Sequence, residues 1–160
     1  MKIAAGNALV LLLGIASPVG AGPAENPETS AQRYRAMVER RPAEGVALDR
    51  LWQACADRGR IDELLQGYRA RAADDPAAGM VHGLLLKRAG RLEDALAAFD
   101  RAAEVATRDP APLVAGARLQ RERGDLTGAA ERLAAAAARA PADPSLWVDL
   151  AEIRLATGDR

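Results

Sequence analysis

Residues 75–110 read D-P-A-A-G-M-V-H-G-L-L-L-K-R-A-G-R-L-E-D-A-L-A-A-F-D-R-A-A-E-V-A-T-R-D-P, a stretch that opens and closes on Asp-Pro. Asp before Pro marks a helix start. The carboxylate accepts from orphan N–H groups of the first turn, and proline takes the first helical position without needing a donor. Gly90 lies 14 residues after Pro76 and supplies the left-handed conformation that ends a helix. Leu92 then opens a second helix, in which Ala95, Phe99 and Ala102 are spaced by 4 and 3 and share one face. The stretch predicts helices near 76–89 and 92–107 around a tight glycine turn.

The same marks recur downstream. Asp75-Pro76, Asp109-Pro110 and Asp143-Pro144 are 34 residues apart, and so are Gly90, Gly124 and Gly158. Ala129, Leu133 and Ala136 repeat Ala95, Phe99 and Ala102 at that step. Further helices are predicted near 110–123, 126–140 and 144–157. Two independent markers on one period signal a stacked array of helix pairs.

These residues resemble tetratricopeptide repeats. The family pattern is W-x2-L-G-x2-Y, a Gly turn, A-x3-F-x2-A and a closing Pro. Trp147-x2-Leu150-Ala151 matches its start, Ala95-x3-Phe99-x2-Ala102 its middle, and Pro141 its close. Gly83, Ala117 and Ala151 are the small residues after the Leu position. Gly79 and Leu113 replace the Trp, His82 and Gly116 the Leu, and Gln120 and Arg154 the Tyr. The resemblance implies an all-α, right-handed superhelical array of antiparallel helix pairs over about 44–160, with the repeat alanines where helices approach closely.

Upstream, Leu51, Cys55 and Gly59 mark one helix, at about 44–57, and Ile61, Leu64 and Tyr68 another, at about 61–73. The step from Gly59 to Gly90 is 31 rather than 34, and Trp52 falls where the family has a small residue. Ser30 to Arg40 is one more helix, stopped by Pro42, with Tyr34, Met37 and Val38 expected to pack inward. The expected organisation is a leader over 1–21, a polar tether and capping helix over 22–42, and a degenerate helix pair over 43–75. Repeats follow over 76–109 and 110–143, and 144–160 is the first helix of an incomplete unit. Leu146, Trp147, Leu150, Ile153 and Leu155 make that last helix apolar for a polar-faced cap, so either it caps imperfectly or more repeats follow.

Residues 1–21 are expected to be a secretory leader. Lys2 gives a short basic start, Ala8 to Ala16 an apolar core, and Val19-Gly20-Ala21 a small-residue cleavage site before Gly22. The apolar run is too short to cross a bilayer, which takes roughly 20 residues. The expectation is export to a periplasm or beyond, with membrane contact only through an uncleaved leader.

Composition narrows the function classes. The chain has 160 residues, 49% apolar and 3% aromatic, and 38 of them are alanine. That apolar share with 28% charged residues excludes a disordered chain. Lys+Arg and Asp+Glu are 22 each, so no overall field draws in nucleic acid. Twenty of the basic residues are Arg, a bias that GC-rich coding accounts for. One Cys and one His exclude a disulfide framework and a metal site built on those residues. The chain lacks G-x-S-x-G, a Walker loop, H-E-x-x-H and C-x-x-C-H. His82 and Cys55 occupy packing positions, and a catalytic pair would require them to meet with a third orienting group. No cofactor and no catalytic residue are expected.

The remaining candidate is the face of successive first helices. Met80, Leu84, Lys87, Val114, Arg118, Arg121, Val148 and Glu152 are expected to line a groove. Some family members hold a peptide carboxylate there with Lys and Asn. The corresponding positions here are Asp49, Met80, Val114 and Val148, then Gln53, Leu84, Arg118 and Glu152, so that clamp is missing. The expected ligand is an extended or helical protein segment with apolar anchors, and Arg118 offers one charged contact. The functional expectation is a non-catalytic protein-interaction scaffold of the cell envelope. The alternative is the repeat portion of a larger envelope protein whose catalytic or anchoring domain lies beyond residue 160.

Overall fold

The computed structural model describes residues 27–158, so the stretch expected to be a leader, the start of the expected tether and Asp159-Arg160 lie outside the described residues. Among those described, every regular element is helical. In chain order they are α1 (Pro27–Arg40), α2 (Val46–Ala56), α3 (Ile61–Arg71), α4 (Pro76–Arg88), α5 (Leu92–Val105), α6 (Ala111–Glu122), α7 (Leu126–Arg139) and α8 (Pro144–Thr157). None is long and apolar enough to cross a membrane.

The period acts through its caps. Asp75 Oδ1 accepts from the N–H groups of Ala77 and Ala78 at 3.0 and 3.2 Å, and Asp143 Oδ1 accepts from that of Ser145 at 3.0 Å. Burial works against the ionised form of Asp75. The Ala78 N–H, the Arg71 guanidinium and the Ala77 N–H outweigh it and hold the carboxyl below its ordinary range. Asp109 accepts from the Ala111 N–H at 2.9 Å, although α6 begins one residue after Pro110. Gly90, Gly124 and Gly158 have φ of 74°, 81° and 75°, the left-handed turn expected of each.

Packing follows the repeat alanines. Ala95, Ala102, Ala129 and Ala136 are buried, with Phe99 and Leu133 between them. A Cβ on Gly83 would run into the Phe99 ring, so glycine is what admits the one phenylalanine to the core. Ala151 corrects an expectation. It is exposed where Ala117 is buried, because no second helix follows α8 among the described residues. Helix α5 also stops at Val105, two residues early. Arg139 Nη1 donates to the carbonyls of Ala103, Ala106 and Asp109 at 3.0 to 3.1 Å and so ties the end of α7 to the turn after α5.

The N-terminal part packs differently from a regular unit. Helix α2 lies mainly against α1 and α3 mainly against α4, whereas α4–α5 and α6–α7 are close pairs. Val38 is buried and Tyr34 partly so, but Met37 is exposed, contrary to the inward packing expected of it. Tyr68 Oη and Arg71 Nη1 both donate to Glu39, at 3.1 and 2.7 Å, and fasten α1 to α3. Trp52 is half-buried with the Arg88 guanidinium 5.9 Å from its ring centre.

Candidate functional site

The expected groove residues separate by depth. Met80 and Leu84 are only 6% and 4% exposed, which corrects the expectation that they stand open as apolar anchors. They belong to the core because α4 packs on α1, α3 and α5. Leu84 still floors a cleft between α2 and α4, whose walls include Glu44, Asp49, Trp52, Lys87 and Arg88.

The cations of that cleft are already engaged. Lys87 Nζ meets Glu44 at 2.6 Å and Glu122 at 2.7 Å, and Arg88 meets Asp49 at 2.5 Å. Burial disfavours the Lys87 ammonium, but the Glu122 and Glu44 hydrogen bonds overcome this and push its pKa up. Lys87 lines the cleft as expected, but as a fixed cross-brace between Glu44, just before α2, and Glu122 at the end of α6.

A separate and much smaller crevice lies between α6 and α8. Val114, Arg118 and Arg121 of α6 line this shallow crevice with Asp149 and Ile153 of α8, floored by Ala117 and Leu133. Val114 is half-buried, while Arg118 and Arg121 are exposed with no ion pair among the described residues. Val148 and Glu152 are exposed on α8 but do not line this crevice. The crevice is too small to take a side chain as it stands, but the two unengaged guanidinium groups at its rim, with Asp149 beside them, can pair with a carboxylate laid over its aliphatic surface.

Two buried groups remain. Cys55 lines a cleft between α1 and α3, and His82 lines another between α3 and α5, so the structure does not bring them together. Burial raises the Cys55 pKa against the opposing pull of Arg35, Arg60 and Arg58, which keeps the thiol protonated and a poor nucleophile. Burial lowers the His82 pKa, and the charges of Arg101, Arg69 and Arg91 lower it further. No group of three or more His, Cys, Asp or Glu residues among those described is placed to hold a metal ion.

Sequence reasoning missed both the Lys87 brace and the α3–α5 cleft. The brace joins residues 43 and 35 apart, a separation for which a local pattern carries no signal. The cleft was readable in part. His82 stands at a leucine position of the repeat, and a polar residue at a core position is a flag.

No protein-family model matches the sequence, and no curated protein does either. Solved structures do resemble it. The crystal structure of MamA aligns over 84% of this chain and 80% of its own, with a TM-score of 0.57 and 14% identity. The crystal structure of PcrH in complex with the chaperone binding region of PopD aligns over 79% and 86%, with a TM-score of 0.49 and 19% identity. The likeness to MamA bears on fold alone: the chain is an all-α, right-handed superhelical array of tetratricopeptide-like helix pairs.

Proposed function

We propose that this chain is a non-catalytic scaffold that captures a segment of a partner protein, acting in the cell envelope after export. The observation that carries the reading is the α6–α8 crevice, where Val114 and Ile153 lie beside the unengaged Arg118 and Arg121. The fitting segment carries an acidic residue for the arginines and an aliphatic one to lie over Val114, in an extended or helical conformation. The chemistry of the two buried groups supports a non-catalytic role, since the thiol is held protonated and the imidazole stands apart from it. The envelope assignment rests on the leader-like composition of residues 1–21.

The test is capture by the immobilised chain with Val114→Asp and Arg118→Glu combined. The expected result is loss of the partner retained by the unmodified chain, with the helical content of the variant preserved. Undiminished capture rejects the crevice as the site.

A further inference from the structure

Two seams between successive second helices are built from equivalent positions but are closed differently. At the α5–α7 seam, the Arg132 guanidinium grips Asp100 with Nη2 at 2.7 and 3.0 Å and Nε at 3.1 Å, and also donates to the Gln120 side-chain carbonyl. Its stem runs over Gly116, where a Cβ would lie 2.9 Å from Arg132 Cδ. At the α3–α5 seam every member of this clamp is exchanged. The 34-residue step puts Ala98 in place of Arg132 and His82 in place of Gly116, and the 31-residue step puts Arg69 in place of Asp100.

The result is an open cleft of about 740 Å³ rather than a filled seam. His82 forms part of its floor. The residue is only 5% exposed, yet it has no hydrogen-bond partner among the described residues, and neither ring nitrogen is sealed from solvent. Both nitrogens therefore have hydrogen-bonding capacity to offer into the cleft. Arg69 enters from α3 and Arg101 from α5, neither with an ion pair among the described residues. The other charged walls are Asp62, Arg91, Asp94 and Glu104, of which Arg91 and Asp94 neutralise one another at 2.7 Å. Asp62 and Glu104 leave the lining balanced overall, but the charges acting most strongly on His82 are Arg101 and then Arg69, so an anion is favoured beside the ring rather than throughout the cleft.

We infer that the α3–α5 cleft is a second binding site, which takes a carboxylate from an acidic segment of a partner protein between Arg69, Arg101 and the His82 ring. The ligand carboxylate takes the part that Asp100 plays at the α5–α7 seam. This site is separate from the α6–α8 crevice and does not depend on it.

His82 is the one histidine of the chain, so its ring proton resonances report directly on the cleft. The experiment titrates the full chain with a hexaglutamate peptide at constant ionic strength, with inorganic phosphate and hexalysine as comparison arms. The expected result is a saturable shift of the His82 signal with hexaglutamate, and a His82 pKa raised by about one unit at saturation, as an adjacent anion requires. Arg101→Ala weakens the response at least about five-fold, the loss of one charge-assisted contact. Arg69→Asp supplies the missing carboxylate from within, abolishes the response, and raises the melting temperature. Arg118→Glu leaves the response unchanged. No shift with hexaglutamate, an equal shift with phosphate or hexalysine, or unaltered binding by Arg69→Asp overturns the assignment.

Discussion

Replacing Arg132 by alanine removes the tie between α5, α6 and α7 while leaving every helix its caps. The side chain is 20% exposed, so its contacts are screened by water only in part, although Asp100 is about half open. Discounted for that exposure, the two-point pairing with Asp100 contributes about 1 kcal/mol. Gln120 is buried and loses the partner of its carbonyl, a further cost of about 1 kcal/mol. The aliphatic stem over Gly116 adds about 1 kcal/mol of packing. The expected loss is therefore about 3 kcal/mol from these three sources. Arg123→Ala is the control, because its partner Glu93 is 78% exposed and such pairs contribute at most about 0.5 kcal/mol. Urea unfolding followed by circular dichroism measures both variants. If Arg132→Ala falls within about 0.5 kcal/mol of Arg123→Ala, the seam is not clamped as described.

Three further outcomes are expected. Gly83→Ala places a methyl group against the buried Phe99 ring and lowers stability by about 2 kcal/mol in the same assay, an overpacking cost. Gly124→Ala forces a side chain into a backbone with φ of 81° and costs about 1 kcal/mol, where an equally exposed helical alanine substitution would cost little. His82→Leu gains stability over the unmodified chain in acid, because it removes an imidazole whose protonation the folded state disfavours. The folded His82 pKa lies below 6.5, so the unmodified chain loses stability as pH falls through 6.5 towards that lower value, and the leucine variant does not. Asp75 produces a separate loss below about pH 4, because its folded pKa is depressed, and Asp75→Asn removes that step.

The turns and caps were legible because they are local. Asp-Pro and Gly at a 34-residue step identify the helix starts and stops, and the structure places α4 to α8 within two residues of the expected bounds. Depth was not legible. Met80, Val114 and Val148 occupy one repeat position, yet the first is buried, the second half-buried and the third 56% exposed. Period identifies equivalent positions, but burial depends on what lies on either side, and α8 packs chiefly on α7 where α4 has three neighbours. The long-range clamps were invisible for a related reason. Arg132, Arg139 and Lys87 each bond residues 30 or more positions away, and nothing in a local window distinguishes them from solvated charges.

The chain's proposed role as a capture scaffold is tested most directly by amide hydrogen exchange on the chain with its captured partner bound. The account predicts slowed exchange in α6 and α8 on the side of Val114, Arg118 and Ile153, and no comparable change in α1. Unchanged exchange across α6 and α8 in a saturated complex would contradict it.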